Sequence, residues 1–149
     1  MEDLLMVNLP IFAERLNELM FDNKTTPEAL SKALGVDLSL IYKYLRKEYI
    51  PSSPNAIRLA NYFNCSLDYL VGLSEDTSMS FNKEDKPFSI RFQELLKEHN
   101  CTRYRVKKDT KLAKQSVDDW YNGVRMPTID NLLVLAEYFS CSIDYIIGR

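Results

Sequence analysis

Laid on itself at an offset of 76 residues, the sequence matches without gaps, placing residues 11–73 on residues 87–149 with seventeen of the 63 positions identical. Chance gives only a few such matches. The shared positions include Phe12/Phe88, Arg15/Arg91, Leu19/Leu95, Pro51/Pro127, Tyr62/Tyr138, Cys65/Cys141, Asp68/Asp144 and Gly72/Gly148. The period exceeds the roughly 20–50 residues of units that must stack to bury a core, so each copy is long enough to own one. Two domains are therefore expected, over 9–74 and 87–149. Between them, EDTSMSFNKEDK at 75–86 is polar, acidic and almost free of bulky apolar residues, the composition of a linker.

The four glycines of the chain are too few for a fold of many tight β-turns, and polar and apolar residues alternate with helical period in both copies. An all-α protein follows, with five helices per copy. The first is expected over about 11–23, with Phe12, Leu16 and Leu19 on one face. Thr26 offers an N-cap to a short second helix ending near Ala33, with Leu30 inward. Gly35 supplies a left-handed turn, Asp37 caps a third helix carrying Ile41 and Tyr44, and Pro51 ends that stretch. Ser52 or Ser53 caps the fourth helix, whose Ile57, Ala60 and Phe63 point one way, and Ser66 caps the fifth. Thr102, Thr128 and Ser142 hold the matching cap positions in the second copy.

Several function classes find no support. No apolar run approaches the ~18 residues of a membrane span, and the opening MEDLLMVNLP lacks the basic segment of a secretory signal, so a cytoplasmic protein is expected. Cys65, Cys101 and Cys141 are odd in number, far apart and without a CxxC pair, the pattern of reduced, mostly buried thiols rather than of a disulfide framework or a metal site. The single histidine, His99, falls at a helix end where an imidazole meets free carbonyls. Walker, GxSxG and HExxH motifs are absent, and no catalytic residue, cofactor, metal or small-molecule substrate is expected. Trp120, Tyr121, Tyr69 and Tyr145 sit at helical spacing among apolar residues and read as core. Asp68 and Asp144 follow serine caps and read as helix N-terminal carboxylates.

A short helix, a turn near a glycine and a second short helix make a helix-turn-helix. RLNEL, ALSKALGVDLSLIYKYL, P-x5-IRLANYF and CSLDYLVGLSED in the first copy, and the run from YRVKKDTKLAKQSVDDWYNG through PTIDNLLVLAEYFSCSIDYIIG in the second, resemble the Xre/Cro-like repressor family. The resemblance covers almost all of both copies and implies tandem five-helix domains of lambda-repressor-like fold that bind operator DNA, from a bacterial or phage source. The second copy departs from the family where Lys111 replaces the turn glycine, Lys107 a small residue and Ala113 a capping residue, which points to a remodelled turn. In the first copy Lys47 stands where Gly123 stands in the second.

In such domains the third helix enters the major groove while the start of the second helix and the following loop hold phosphates. The recognition helices are placed at about 38–46 and 114–122. With Ile41 and Val117 as inward anchors, helical facing turns Leu38, Ser39 and Lys43 outward in one copy, and Lys114, Gln115 and Asp119 in the other. Lysine donates to guanine O6/N7, glutamine pairs with adenine N6/N7, and aspartate accepts from a cytosine amino group. Tyr42, Arg46, Asp118 and Asn122 lie near the same surfaces, and Thr26, Thr102, Arg103 and Lys111 are candidates for phosphate. Residues 103–114 carry six cations, Arg103, Arg105, Lys107, Lys108, Lys111 and Lys114, against one acid, Asp109, whereas the matching stretch of the first copy contributes only Lys32. A chain of formal charge −2 thus has its cations concentrated where a phosphate-neutralising surface is expected.

From residue 33 to 50 and at the partners 109–126 no identity survives, so the two recognition helices differ in chemistry. Leu38, Leu40, Tyr42 and Tyr49 make the first one unusually apolar. The reading is a sequence-specific regulator of double-stranded DNA, a repressor by occupancy, acting as an internal pseudo-dimer or as a homodimer. The alternative is an antitoxin-like or anti-repressor adaptor whose helix-turn-helix surfaces bind protein, favoured by the acidic balance and the apolar first recognition helix.

Overall fold

The computed structural model describes residues 9–77 and 86–149, and the regular structure among them is entirely helical. The first copy comprises α1 (Leu9–Asp22), α2 (Pro27–Leu34), α3 (Leu38–Leu45), α4 (Ser53–Phe63) and α5 (Leu67–Leu70). The second comprises α6 (Phe88–Glu98), α7 (Arg103–Asp109), α8 (Lys114–Asn122), α9 (Ile129–Phe139) and α10 (Ile143–Ile147). The two sets of five belong to two separate compact units. None of the described helices is long and apolar enough to cross a membrane.

Capping residues set most helix starts. The hydroxyls of Thr26, Ser52 and Ser66 accept from the backbone N–H of Ala29, Asn55 and Tyr69 at 3.1, 3.3 and 3.0 Å. Thr102, Thr128 and Ser142 do the same for Arg105, Asn131 and Tyr145 at 3.2, 3.2 and 2.9 Å. Each such cap stabilises its helix by about 1 kcal/mol. Asp37 behaves differently from its expectation: it has the extended backbone of an N-cap, but its carboxylate makes no capping bond. Its counterpart Ala113 cannot make one. The third helix ends at Leu45, where Lys47 turns left-handed at φ 66° and the Glu48 N–H closes onto the Lys43 carbonyl at 2.9 Å.

Equivalent positions build the two cores. Leu16, Leu30, Ile41, Tyr44, Leu59, Leu67 and Leu70 are buried in the first unit, as are Phe92, Val106, Val117, Trp120, Leu135, Ile143 and Ile146 at the matching places in the second. The aromatic pairing shifts between them. Phe12 meets Tyr44 edge-on at 5.7 Å, whereas Trp120 is met by Phe92 at 6.1 Å and Phe88 is displaced to a stacked position on Phe92. Trp120 is core, as its spacing predicts. Tyr145 is not: 38% exposed, its ring lies beside the Arg91 guanidinium at 5.1 Å, and Tyr69 pairs with Arg15 in the same way at 4.3 Å.

Those two arginines explain one of the repeat identities. Arg91, buried on α6, donates to the Tyr145 carbonyl at 2.6 Å and to Glu94 at 2.8 Å. Arg15 on α1 donates to the Tyr69 carbonyl and to that of Ser74 at 2.8 Å. Each ties the first helix of its domain to the end of the fifth, through a carbonyl that also accepts the N–H of Gly72 or Gly148 at 3.1 Å. Glu75 pairs with Arg15 at 3.1 Å, and the Ser66 hydroxyl and N–H donate to the carbonyls of Asp76 and Thr77 at 3.1 and 2.9 Å, so residues 75–77 are held on the first domain. None of the three cysteines forms a disulfide, but only Cys65 is buried; Cys141, expected to share its burial, is partly exposed. His99 caps α6 as expected of its place, its ring nitrogens 3.1 and 3.2 Å from the carbonyls of Leu95 and Phe139.

Candidate nucleic-acid interface

In both units the second and third helices form the motif that a groove reader needs, yet the turns between them are built from different chemistry. Gly35 takes the left-handed conformation, φ 68°, and its N–H closes onto the Ser31 carbonyl at 2.9 Å. Lys111 replaces this glycine, and the chain avoids left-handed backbone there altogether. Instead Thr110, extended at φ −121°, donates its hydroxyl to the Val106 carbonyl at 2.7 Å and accepts from the Leu112 N–H at 3.2 Å. One threonine side chain thus replaces the backbone turn, and Lys111 remains exposed.

The helix crossing is remodelled in parallel. Ser31 donates to the Val36 carbonyl at 2.6 Å. Lys107, its counterpart, reaches from α7 to Asp118 on α8 at 2.8 Å, and Arg103 reaches the same carboxylate oxygen at 3.2 Å while stacking on the Tyr121 ring at 4.0 Å. Two cations around one carboxylate, Lys107 foremost, hold the Asp118 carboxyl below the usual aspartate range. Asp118 and Arg103, both expected to face DNA, are engaged in joining α7 to α8. An open cleft of about 530 Å³ lies beside them at the start of α7, lined by Gln93, Lys97, Asn100, Thr102, Arg103 and Tyr121.

Asp119 requires correction. Helical facing turns it outward, but it is only 9% exposed, because the loop after α8 brings Arg125 back over it at 3.2 Å. Its other oxygen accepts from Gln115 Nε2 at 2.9 Å. Lys114, Gln115 and Asn122 are exposed as expected, and so are Lys108 and Lys111. These five share the exposed surface of α7, the turn and α8 with Tyr104, Arg105, Asp109 and Ala113.

On the first unit, Ser39, Tyr42 and Arg46 are exposed, while Leu38 and Lys43 are half-buried. Arg46 is paired with Glu48 at 2.8 Å, Lys43 lies 5.0 Å from the centre of the Tyr49 ring, and the Tyr42 hydroxyl is 3.5 Å from Glu28. Thr26 and Thr102 are exposed caps at the starts of α2 and α7. Sequence reasoning missed Thr110, the Lys107–Asp118 bridge and Arg125. Only Lys107 left a signal, as a long cation at a place the family keeps small.

Family models match both halves: a helix-turn-helix model over residues 20–70, and the Cro/C1-type HTH DNA-binding domain over residues 91–149. Both halves are helix-turn-helix domains of the Xre/Cro-like family. Comparison with curated proteins and with solved structures yields no match. A tandem helix-turn-helix protein of this family is a DNA-binding regulator by type. Among the described residues no group of three His, Cys, Asp or Glu side chains converges as a metal site.

Proposed function

We propose that the protein is a sequence-specific transcriptional regulator, a repressor that acts by occupying its operator, and that the second domain is its principal reader. The observation that carries this reading is the exposed surface of α7 and α8. Lys108, Lys111 and Lys114 stand free to neutralise phosphates or reach guanine, beside Gln115 and Asn122 with side-chain amides suited to base edges. Thr102 and the cleft at the start of α7 supply the phosphate-positioning side. Thr26, Ser39, Lys43 and Arg46 are the corresponding contacts of the first domain, weaker because Lys43 and Arg46 are already partnered. Neither catalysis nor a cofactor or small-molecule ligand is part of this function, and the site of action is the cytoplasm of a bacterial or phage-infected cell. Pairing of two chains would match a two-fold operator.

A second reading is favoured by one observation on the first domain. Tyr42 and Tyr49 are 37% and 51% exposed around the half-buried Leu38 and Leu40, an apolar surface better suited to protein than to phosphates. In that reading the first domain is an adaptor and only the second meets DNA.

Selection of bound duplexes from a random library at near-physiological salt separates the two. One enriched half-site, abolished in the Lys114→Ala/Gln115→Ala double variant, is expected if the second domain alone reads; two half-sites are expected if both do. No enrichment, with no binding to mixed DNA at low salt, would sink the repressor reading in favour of a protein partner.

A further inference from the structure

Gln115 sits in the first turn of α8, exposed, with its amide nitrogen 2.9 Å from Asp119 Oδ1 one helical turn further on. Asp119 is itself held: its Oδ2 receives Arg125 Nε at 3.2 Å, and its side chain is 12% exposed against 65% for the arginine. A carboxylate only accepts, so this contact can engage only the nitrogen end of the glutamine amide. Building on α8 as the base-reading helix, we propose that Asp119 is a positioning residue for base recognition, one that restricts Gln115 to adenine.

A glutamine amide has two N–H donors and one acceptor oxygen. Bound to nothing, it can turn its acceptor and one donor to adenine, or both donors to the O6 and N7 acceptors of guanine. With one N–H committed to Asp119, a single donor and the oxygen remain. That pair matches adenine N7 and N6 and leaves one guanine acceptor facing a carbonyl oxygen. Arg125, arriving from the loop, keeps the carboxylate in place beside the groove face. The same two repeat positions in the first domain are taken by Lys43 and Tyr49, a cation over a ring at 5.0 Å, and Gln115 is replaced there by Ser39. The orienting device therefore belongs to the second domain, and Asp119 contributes to specificity without touching a base.

The test is duplex selection with the full chain, followed by competition binding, on the wild type, Gln115→Ala and Asp119→Ala. One position of the selected site is expected to prefer adenine and to lose that preference in Gln115→Ala. At this position the preference for adenine over guanine should fall about tenfold in Asp119→Ala, the scale of one good bidentate contact, while other positions keep theirs. Release of Arg125 changes affinity for all sequences alike and leaves that ratio unmoved. A Gln115-dependent position that keeps its preference in Asp119→Ala, or that never selected adenine, overturns the proposal and leaves the regulator reading intact. Absence of any Gln115-dependent position also overturns the proposal, whereas the regulator reading falls with it only if no motif is enriched at all. Should Asp119→Ala fail to fold by circular dichroism, the wild type answers by NMR. The proposal then expects one Gln115 side-chain amide proton shifted downfield, and random-coil positions for both overturn it.

Discussion

Lys47 and Gly123 occupy the same place in the two copies and both adopt left-handed backbone, at φ 66° and 78°. Only glycine does so without steric cost, and a lysine there sacrifices roughly 1 kcal/mol. Replacing Lys47 by glycine is therefore expected to stabilise the first domain by up to about 1 kcal/mol, read as a higher denaturant midpoint at unchanged slope. An unchanged or lower midpoint would show that the lysine side chain or the stiffness it gives the unfolded chain offsets the strain. The sequence marks this site because the repeat sets a glycine against a lysine. At the neighbouring anomaly, Lys111, the absence of glycine is equally legible, but the remedy is not. Thr110 becomes a turn-former only because its hydroxyl lies between the Val106 carbonyl and the Leu112 N–H.

At the scale of elements, the joint between α7 and α8 distinguishes the second domain from the first. Its Asp118 carboxyl is held below the ordinary value near ~3.9 by Lys107, with Arg103 assisting. A group whose pKa is lower folded than unfolded adds stability above its unfolded pKa and loses it as pH falls through the folded one. Asp118→Asn is thus expected to lower the melting temperature at pH 6–7, and the gap is expected to close as pH falls through the lowered pKa of the folded protein, below which both proteins carry a neutral side chain. A gap between the two melting curves that persists unchanged into strong acid would contradict the ion-pair account. Helix periodicity assigns Asp118 to the DNA surface, since it reports direction relative to the core but not whether a side chain of another helix is waiting there.

Across the molecule, a formal charge of −2 conceals an uneven arrangement, with ten basic against eight acidic residues over 87–149 and seven against seven over 9–74. Binding to DNA should consequently depend on salt through the second domain. The slope of log K against log salt is expected to flatten by about 0.9 for each phosphate that is no longer neutralised, so Lys108→Ala, Lys111→Ala or Lys114→Ala should each flatten it by up to that amount. Lys32→Ala, the counterpart change in the first domain, should leave it nearly unaltered. Equal flattening from Lys32 and from Lys111 would mean that the two domains share the phosphate backbone evenly.

The amino-acid sequence alone determined that there are two copies, that each is a helical domain with a helix-turn-helix, and where most caps fall. Those features follow from local rules, periodicity, capping chemistry and turn residues, and the duplication states each of them twice. Tertiary structure decided which polar residues of α7 and α8 remain available. Arg103, Lys107 and Asp118 are spent on one another, Asp119 is covered by Arg125, and Lys108, Lys111, Lys114, Gln115 and Asn122 are left at the surface. The reason is physical: a helix dictates the direction of its own side chains, whereas pairing between charges depends on residues that only folding brings within about 3 Å of one another.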